Sequence, residues 1–223
     1  MPAQYDPNVK LLWRKAAYKA TAKYFFGTLH LIKHRMSITG RENLPKEPFI
    51  AVGNHLSNED PPLLALATER PVAFIAKQEL YEKEPLRSLV LFYGAISVNR
   101  ERPEASTFKA AKEAFKCGWS LGMFIEGTRS KTPGVLGQPN HGPAYFAKIL
   151  KAQIVPVGIV GTDKAWGKGY TRFGKPIQPG DDLDAKTWEV MEALSDLTGF
   201  QLPPRLVQRS TEVGYQSGVD SDR

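Results

Sequence analysis

The residues of this sequence best suited to chemistry are a histidine and an aspartate placed five positions apart. His55 and Asp60 lie in the stretch 53–62, which reads Gly-Asn-His-Leu-Ser-Asn-Glu-Asp-Pro-Pro. A carboxylate that accepts a hydrogen bond from one imidazole nitrogen fixes the tautomer, and the other nitrogen can then take a proton from a hydroxyl. The alternative is that Asp60 only caps the following helix and that His55 is an ordinary polar loop residue.

The surrounding sequence places this pair in a turn between a strand and a helix. The apolar run 49–52 predicts a strand, and the two prolines at 61–62 favour the first turn of a helix. Within one helix a five-residue step rotates the side chain by about 140°, which would separate the two groups, whereas a turn can bring them together. The chain contains a second Asn-His pair, but the fifth residue after His141 is Phe146. The sequence therefore singles out His55.

Length and cysteine content limit the kind of protein this is. The chain has 223 residues, of which 42% are hydrophobic, so it can form one substantial core. The single cysteine, Cys117, excludes an internal disulfide framework and a cysteine-built zinc site, and it fits a reducing compartment. No apolar run reaches the roughly 18 residues that span a bilayer, and no secretion signal is recognisable. We expect neither export nor a membrane span.

The positive charge is concentrated at the N-terminal end. The net charge is +7, and residues 1–41 carry eight basic residues against Asp6 alone, so the remainder is neutral. From 9 to 24, apolar residues recur at helical spacing and basic residues flank them, a pattern typical of an amphipathic helix on an anionic membrane surface. The alternative is that this stripe packs on the protein's own core. Nucleic acid is not expected as a partner, because the aromatic residues lie within the apolar stripe.

No metal site is predicted. His30 and His34 are four residues apart, but no Cys, Asp or Glu lies between Lys10 and Arg41 to complete a ligand shell.

Strands and helices alternate beyond residue 38. Apolar runs predict strands at 49–53, 72–76, 95–98, 121–125, 154–160 and 171–173, and helices are expected at 63–68, 85–92, 104–117 and 143–150. This alternation predicts an α/β fold with a mixed, largely parallel sheet flanked by helices. Asp184 is expected to cap a last helix that ends near Gly199. The predicted organisation is an amphipathic, membrane-docking segment at 1–37, a domain at 38–199 and a disordered tail at 200–223.

Polar and basic residues follow the predicted strands, where ligands of α/β sheets gather. Gly127 allows close approach of the backbone, and Arg129 can bind an oxyanion through two parallel N–H bonds. Taken alone, the run 126–130 could be an ordinary polar turn. The candidate substrate-binding residues are Asn54, Lys77, Arg100, Glu126, Gly127, Thr128, Arg129 and Ser130.

Four stretches, in order, resemble the conserved blocks of the glycerolipid acyltransferases, in particular the 1-acyl-glycerol-3-phosphate acyltransferases. They are Asn54-His55-x4-Asp60, 94–100, 124–130 and 154–159, within a resemblance that covers about residues 38–175. Two positions depart from the family pattern: Asn99 stands where an acidic residue is common, and His141 stands where a basic residue is common.

This resemblance implies a membrane-associated enzyme on the cytoplasmic side. The expected donor is acyl-CoA or acyl carrier protein, the expected acceptor is a lysophospholipid, the product is phosphatidic acid, and no cofactor is required. His55 would be the general base and Asp60 its partner, while Arg100 and Arg129 would bind the acceptor phosphate and Glu126 would order the loop or a glycerol hydroxyl. The oxyanion donor and the oligomeric state are left open.

Two alternatives remain at this point. The acceptor could be another lysolipid or a glycolipid hydroxyl, because the histidine chemistry does not depend on what carries the alcohol. A protein of another class, a non-catalytic basic module that binds membranes or nucleic acid, would also explain the charge.

Overall fold

The structure is a computed structural model that describes residues 36–78, 95–98, 105–164 and 168–205. Several predictions lie outside these residues: the N-terminal amphipathic helices, the helix at 85–92, Arg100, and the tail beyond 205.

A seven-stranded sheet forms the centre of the described residues. Its strands are β1 (Ser37–Thr39), β2 (Ile50–Gly53), β3 (Val72–Lys77), β4 (Ile96–Val98), β5 (Ser120–Phe124), β6 (Ile154–Val160) and β7 (Tyr170–Phe173). They lie in the order β1-β7-β6-β2-β5-β3-β4, and all neighbours are parallel except β6 and β7. The predicted mixed, largely parallel sheet is confirmed. The three-residue β1 was not predicted, and the expected boundary between residues 37 and 38 cuts through it.

The central strands are continuous apolar runs because both faces of the sheet are covered. β2 lies between β5 and β6, and Ile50, Leu121 and Ile154 are fully buried. Gly53, the last residue of β2, lies opposite Phe124 on one side and Val157 on the other. Because these strands are parallel, the segments that leave β2, β5 and β6 begin at the same edge of the sheet.

Helices cover the sheet and contribute apolar side chains to the same core. They are α1 (Asp60–Thr68), α2 (Ala105–Lys116), α3 (Gly142–Leu150) and α4 (Leu183–Thr198), with a short 3₁₀ turn at Arg41–Asn43. α1 begins at Asp60, before the predicted start at 63. Both prolines fit its first turn, where the N–H groups that they lack would have no partner within the helix. No helix among the described residues is long and apolar enough to cross a membrane.

The end of the domain differs from the prediction at two points. Asp182, and not Asp184, caps α4: its carboxylate accepts a hydrogen bond of 2.9 Å from the Ala185 N–H. Residues 201–205 are ordered, because Gln201 forms backbone hydrogen bonds of 2.9 Å with both Gly134 and Leu136. A tail predicted from composition alone therefore starts too early.

The cap of α4 can be tested by two matched substitutions. Asp182→Ala is expected to lower the free energy of unfolding by about 1 kcal/mol, since one N-terminal amide loses its acceptor. Asp184→Ala should cost less, because it removes an exposed ion pair with Arg205. Urea unfolding of both variants is the measurement. A larger loss for Asp184→Ala would place the cap at 184 after all.

Candidate active site

The carboxylate of Asp60 is the centre of the site. Its Oδ2 atom accepts hydrogen bonds from His55 Nδ1 at 2.8 Å, the Leu56 N–H at 2.6 Å and the Ser57 N–H at 2.7 Å. Its Oδ1 atom accepts one from the Thr162 hydroxyl at 2.6 Å. The side chain of Asp60 is 0% exposed. Since a carboxylate only accepts, the network assigns the proton to Nδ1 and leaves Nε2 as the basic nitrogen of a neutral His55.

Asp60 is not the cap of α1. The N-cap position belongs to Glu59, whose side chain makes no capping hydrogen bond, and Asp60 is the first helical residue. Its carboxylate instead reaches back to the turn that contains His55. The simpler interpretation of this pair, a cap beside an ordinary loop histidine, therefore does not describe the geometry.

The imidazole of His55 is also held through its face. It stacks on the ring of Phe124, the last residue of β5, with 4.1 Å between the ring centroids and 19° between the planes. Phe124 stacks in turn against Phe74 of β3 at 6.3 Å. The side chain of His55 retains 16% exposure. Its orientation is thus set by a hydrogen bond at one edge and by aromatic packing at one face, while Nε2 has no hydrogen-bond partner among the described residues.

Asn54 was predicted to bind substrate, but its side chain is bonded to the backbone of β6. Its side chain is fully buried, and its amide donates to the Ile159 carbonyl at 2.9 Å and accepts from the Ile159 N–H at 2.8 Å. Asn54 therefore joins the end of β2 to β6. The Ser57 hydroxyl accepts a hydrogen bond from the Glu59 N–H at 3.2 Å and stays within the same turn.

A cleft of about 310 Å³ lies in the loop that follows β5. The predicted anion-binding residues Thr128, Arg129 and Ser130 line it, together with Lys131, which the sequence did not single out. Arg129 is exposed and forms no ion pair with a described residue. The Ser130 N–H donates to the His55 carbonyl at 2.7 Å, so this loop is attached directly to the histidine turn. The cleft thus offers two cationic side chains and three hydroxyls, in a loop attached to the turn that carries His55.

Glu126, at the inner end of this loop, is a buried acid with 8% exposure. Burial raises the pKa of its carboxyl to about 7, and the nearby Asp60 carboxylate adds to that increase. The N–H groups of Gly137 and His55 lower this pKa, but by less than burial raises it. Neither carboxyl oxygen of Glu126 has a partner at hydrogen-bond geometry. A Cβ at residue 137 would lie 2.7 Å from Oε2, so a side chain there would require the Glu126 carboxyl to move.

The outer wall of the cleft depends on the segment that follows α4. The Leu136 N–H donates to the Gln201 carbonyl at 2.9 Å, and the side chain of Gln138 donates to the Pro204 carbonyl at 3.1 Å. Within the loop, the Ser130 hydroxyl donates to the Val135 carbonyl at 2.9 Å. This bracing of 134–138 was not foreseen, because it joins residues more than 60 positions apart in the sequence.

Two further candidates, and the histidine of the second Asn-His pair, are placed as follows. Lys77 is the last residue of β3, but its side chain lies outside the described part of the structure, as does Arg100. His141, the residue directly before α3, shares a 3.0 Å hydrogen bond with the Thr187 hydroxyl. Within the described ranges, no group of three His, Cys, Asp or Glu side chains could hold a metal ion.

The chain is similar to proteins named as acyltransferases. Residues 35–160, more than half of the 223 residues, match the family model described as Acyltransferase. A Mycoplasma pneumoniae protein named probable 1-acyl-sn-glycerol-3-phosphate acyltransferase is 28% identical over 169 residues. This alignment covers 73% of our chain and 60% of that relative. A 1-acyl-sn-glycerol-3-phosphate acyltransferase of Saccharomyces cerevisiae is 27% identical over 214 residues, or 90% of this chain and 68% of the yeast protein.

A solved structure shares the fold. The 1-acyl-sn-glycerophosphate (LPA) acyltransferase PlsC from Thermotoga maritima superposes with a TM-score of 0.66 and 24% sequence identity. The match covers 82% of this chain and 77% of that one. The arrangement of helices around a mostly parallel sheet is therefore an established fold.

The raised pKa of Glu126 predicts a pH-dependent contribution to stability. The unfolded chain releases this proton near the ordinary value of 4.5, whereas the folded protein holds it up to about pH 7. Between these values the folded state binds more protons, so the free energy of unfolding falls as pH rises through this window. Glu126→Gln removes this loss, which amounts to at most about 3 kcal/mol.

Urea unfolding at pH 5 and pH 8 measures the effect as the difference between wild type and Glu126→Gln. Glu192→Gln, at an exposed position on α4, is the matched control and should leave the pH dependence unchanged. If the free energy of unfolding changes equally with pH in wild type and Glu126→Gln, the Glu126 carboxyl titrates in its ordinary range.

Proposed function

Since the chain belongs to the Acyltransferase family, we propose that it transfers a fatty acyl group from an acyl thioester to the free hydroxyl of 1-acyl-glycerol-3-phosphate, which gives phosphatidic acid. The observation that carries this proposal is the His55–Asp60 hydrogen bond of 2.8 Å, in a turn bonded through the Ser130 N–H to the loop whose cleft Arg129 and Lys131 line. The printed names of the relatives support the same acceptor. Acyl-CoA or acyl carrier protein would be the donor, and no cofactor is needed.

The chemistry begins with neutral His55. Nε2 takes the proton of the acceptor hydroxyl as that oxygen attacks the carbonyl carbon of the thioester. The tetrahedral intermediate then collapses, the C–S bond breaks, and the leaving thiolate takes the proton back from Nε2. Asp60 stabilises the transient imidazolium because its carboxylate faces Nδ1. Orientation of the imidazole by Asp60 and Phe124 keeps Nε2 in one position throughout.

The phosphate of the acceptor would lie in the cleft of residues 126–138. Arg129 can form two parallel hydrogen bonds to phosphate oxygens, and Lys131 and Thr128 add a charge and a hydroxyl donor. Arg100, predicted as a second phosphate ligand, remains part of the proposal. The acceptor would thus be held at two places. Its hydroxyl would lie at Nε2 of His55, and its phosphate would lie in the loop that the Ser130 N–H bonds to the histidine turn.

Membrane contact is a further part of this proposal. The basic residues of the segment 1–37 favour an anionic lipid surface, and docking there would let the acyl chains of donor and acceptor remain partly in the bilayer. Acyl transfer could then occur without the acceptor lipid leaving the membrane. The peripheral location follows from this docking and needs no membrane span.

The general-base role of His55 predicts a large loss on substitution. His55→Ala should lower kcat by about 10²- to 10⁴-fold while the acceptor still binds, because only the proton acceptor is removed. His141→Ala is the matched control. His141 also follows an asparagine, as His55 does, but its hydrogen-bond partner is Thr187 and not an aspartate. Release of free thiol from an acyl thioester in the presence of acceptor is the measurement.

A folded His55→Ala protein that turns over at the wild-type rate would remove His55 from the mechanism. Thiol release in wild type only when acceptor is present supports the transferase. Salt-sensitive nucleic-acid binding with no turnover would instead favour the non-catalytic module.

The phosphate-binding role of Arg129 predicts a change in acceptor selectivity. Arg129→Ala should raise the KM for 1-acyl-glycerol-3-phosphate by about 10- to 100-fold, the effect expected when a charge-assisted hydrogen bond is lost. The rate with a phosphate-free monoacylglycerol should not change. Arg172→Ala is the control, because Arg172 packs over the Tyr170 ring on β7, 4.1 Å from its centroid. If Arg129→Ala and wild type discriminate equally against the phosphate-free acceptor, Arg129 is excluded from the phosphate site.

A panel of lysolipid and glycolipid acceptors with one labelled donor tests the alternative acceptors.

A further inference from the structure

We infer that Thr162 is a positioning residue of the active site: its hydroxyl holds the second oxygen of Asp60 and thereby fixes the orientation of His55. This inference rests on the proposed function, because it concerns how the general base is held. Thr162 lies 102 positions after Asp60, beyond the end of β6, and belongs to none of the four sequence blocks that indicated the family.

The two oxygens of Asp60 have different environments. Oδ2 accepts three hydrogen bonds, all from the turn at 55–57. Oδ1 accepts one hydrogen bond from a described residue, the 2.6 Å bond from Thr162, whose side chain is only 4% exposed. Rotation about the Cβ–Cγ bond moves both oxygens. The donor on Oδ1 therefore adds to the three on Oδ2 in opposing that rotation, and the imidazole bonded to Oδ2 keeps its direction.

The fold fixes the place of Thr162 through the residues around it. Both amide atoms of Asn54, directly before His55, bond to the backbone of Ile159, which ties the end of β6 to the histidine turn. Gly161 then turns the chain with a φ of 89°, a conformation that favours glycine. A Cβ at residue 161 would lie 2.7 Å from the Lys168 carbonyl oxygen, so a side chain is excluded there by space as well. Thr162 therefore approaches Asp60 from a neighbouring strand end.

A hydroxyl is the useful group at this position. Oδ1 is buried, and a buried carboxylate oxygen without a donor is unfavourable, so loss of the hydroxyl would let the carboxylate turn toward another partner. Valine has the shape of threonine without the donor, whereas serine keeps the donor without the methyl group. The pair Thr162→Val and Thr162→Ser thus separates hydrogen bonding from packing.

The experiment compares these variants in wild type and in His55→Ala, with kcat and the acceptor KM measured by thiol release. Thr162→Val should lower kcat by about 10- to 100-fold with an acceptor KM within about 2-fold of wild type, because it weakens only the orientation of the base. Thr162→Ser should restore most of that loss. In the His55→Ala background, Thr162→Val should cause no further decrease, since residues that act as one unit are not additive.

Three results would overturn the inference: wild-type kcat in Thr162→Val, equal impairment in Thr162→Ser, or the same fold-loss in the His55→Ala background. Circular dichroism and thermal unfolding verify that each variant is folded. If Thr162→Val is not recovered folded, Thr162→Ala replaces it, with the same expected loss and the same contradicting results. Absence of acceptor-dependent thiol release in wild type would overturn the proposed function itself, whereas inactive His55→Ala with fully active Thr162→Val would overturn only the role of Thr162.

Discussion

The buried carboxylate of Asp60 is the interaction on which the site depends. A carboxylate removed from water is unfavourable unless hydrogen bonds replace its solvation, and here four donors do so. Two of the donors are backbone amides of the turn, one is an imidazole, and one comes from the end of β6. The turn must stay non-helical for its two amides to face Asp60, and the prolines at 61–62 favour a helix that begins just there. Local chain geometry and a long-range contact thus satisfy the same charged group.

The parallel sheet supplies the rigid frame around this carboxylate. β2 leads to His55, β5 ends at Phe124, which supports the imidazole, and β6 leads to the hydroxyl of Thr162. Parallel neighbours end at one edge, so three segments far apart in sequence meet without any long connection through the core. The backbone bond from Ser130 to His55 adds the cationic loop to the same edge. The ends of the strands therefore set the geometry of the His55–Asp60 pair, and the loop after β5 carries the cationic side chains.

The sequence predicted the parts of this site that depend on local patterns. The bounds of β6 at 154–160 followed from a continuous apolar run, and the meeting of His55 with Asp60 followed from the strand, turn and proline signals. The contact of Thr162 could not be predicted, because a threonine after a strand has no distinctive pattern and its partner depends on how β6 pairs with β2. Asn54 was misassigned for a related reason: composition shows that an amide can bind a ligand, but not that β6 already occupies it. Gln201 likewise lies in a polar stretch whose partner is set only by the tertiary fold.

Two carboxyl groups in one small site would normally oppose the binding of an anionic substrate. The two carboxyl groups differ in their hydrogen bonding. Asp60 has four donors, whereas neither oxygen of Glu126 has a partner at hydrogen-bond geometry. Burial raises the pKa of Glu126 to about 7, and the Asp60 charge acts in the same direction, so the neutral form of Glu126 dominates below that pH. Arg129 and Lys131 line the cleft together with Glu126, and the negative charge of Asp60 is already compensated by its donors. Because burial keeps Glu126 protonated below about pH 7, with the Asp60 charge as a smaller contribution, the cleft keeps its positive character in that range.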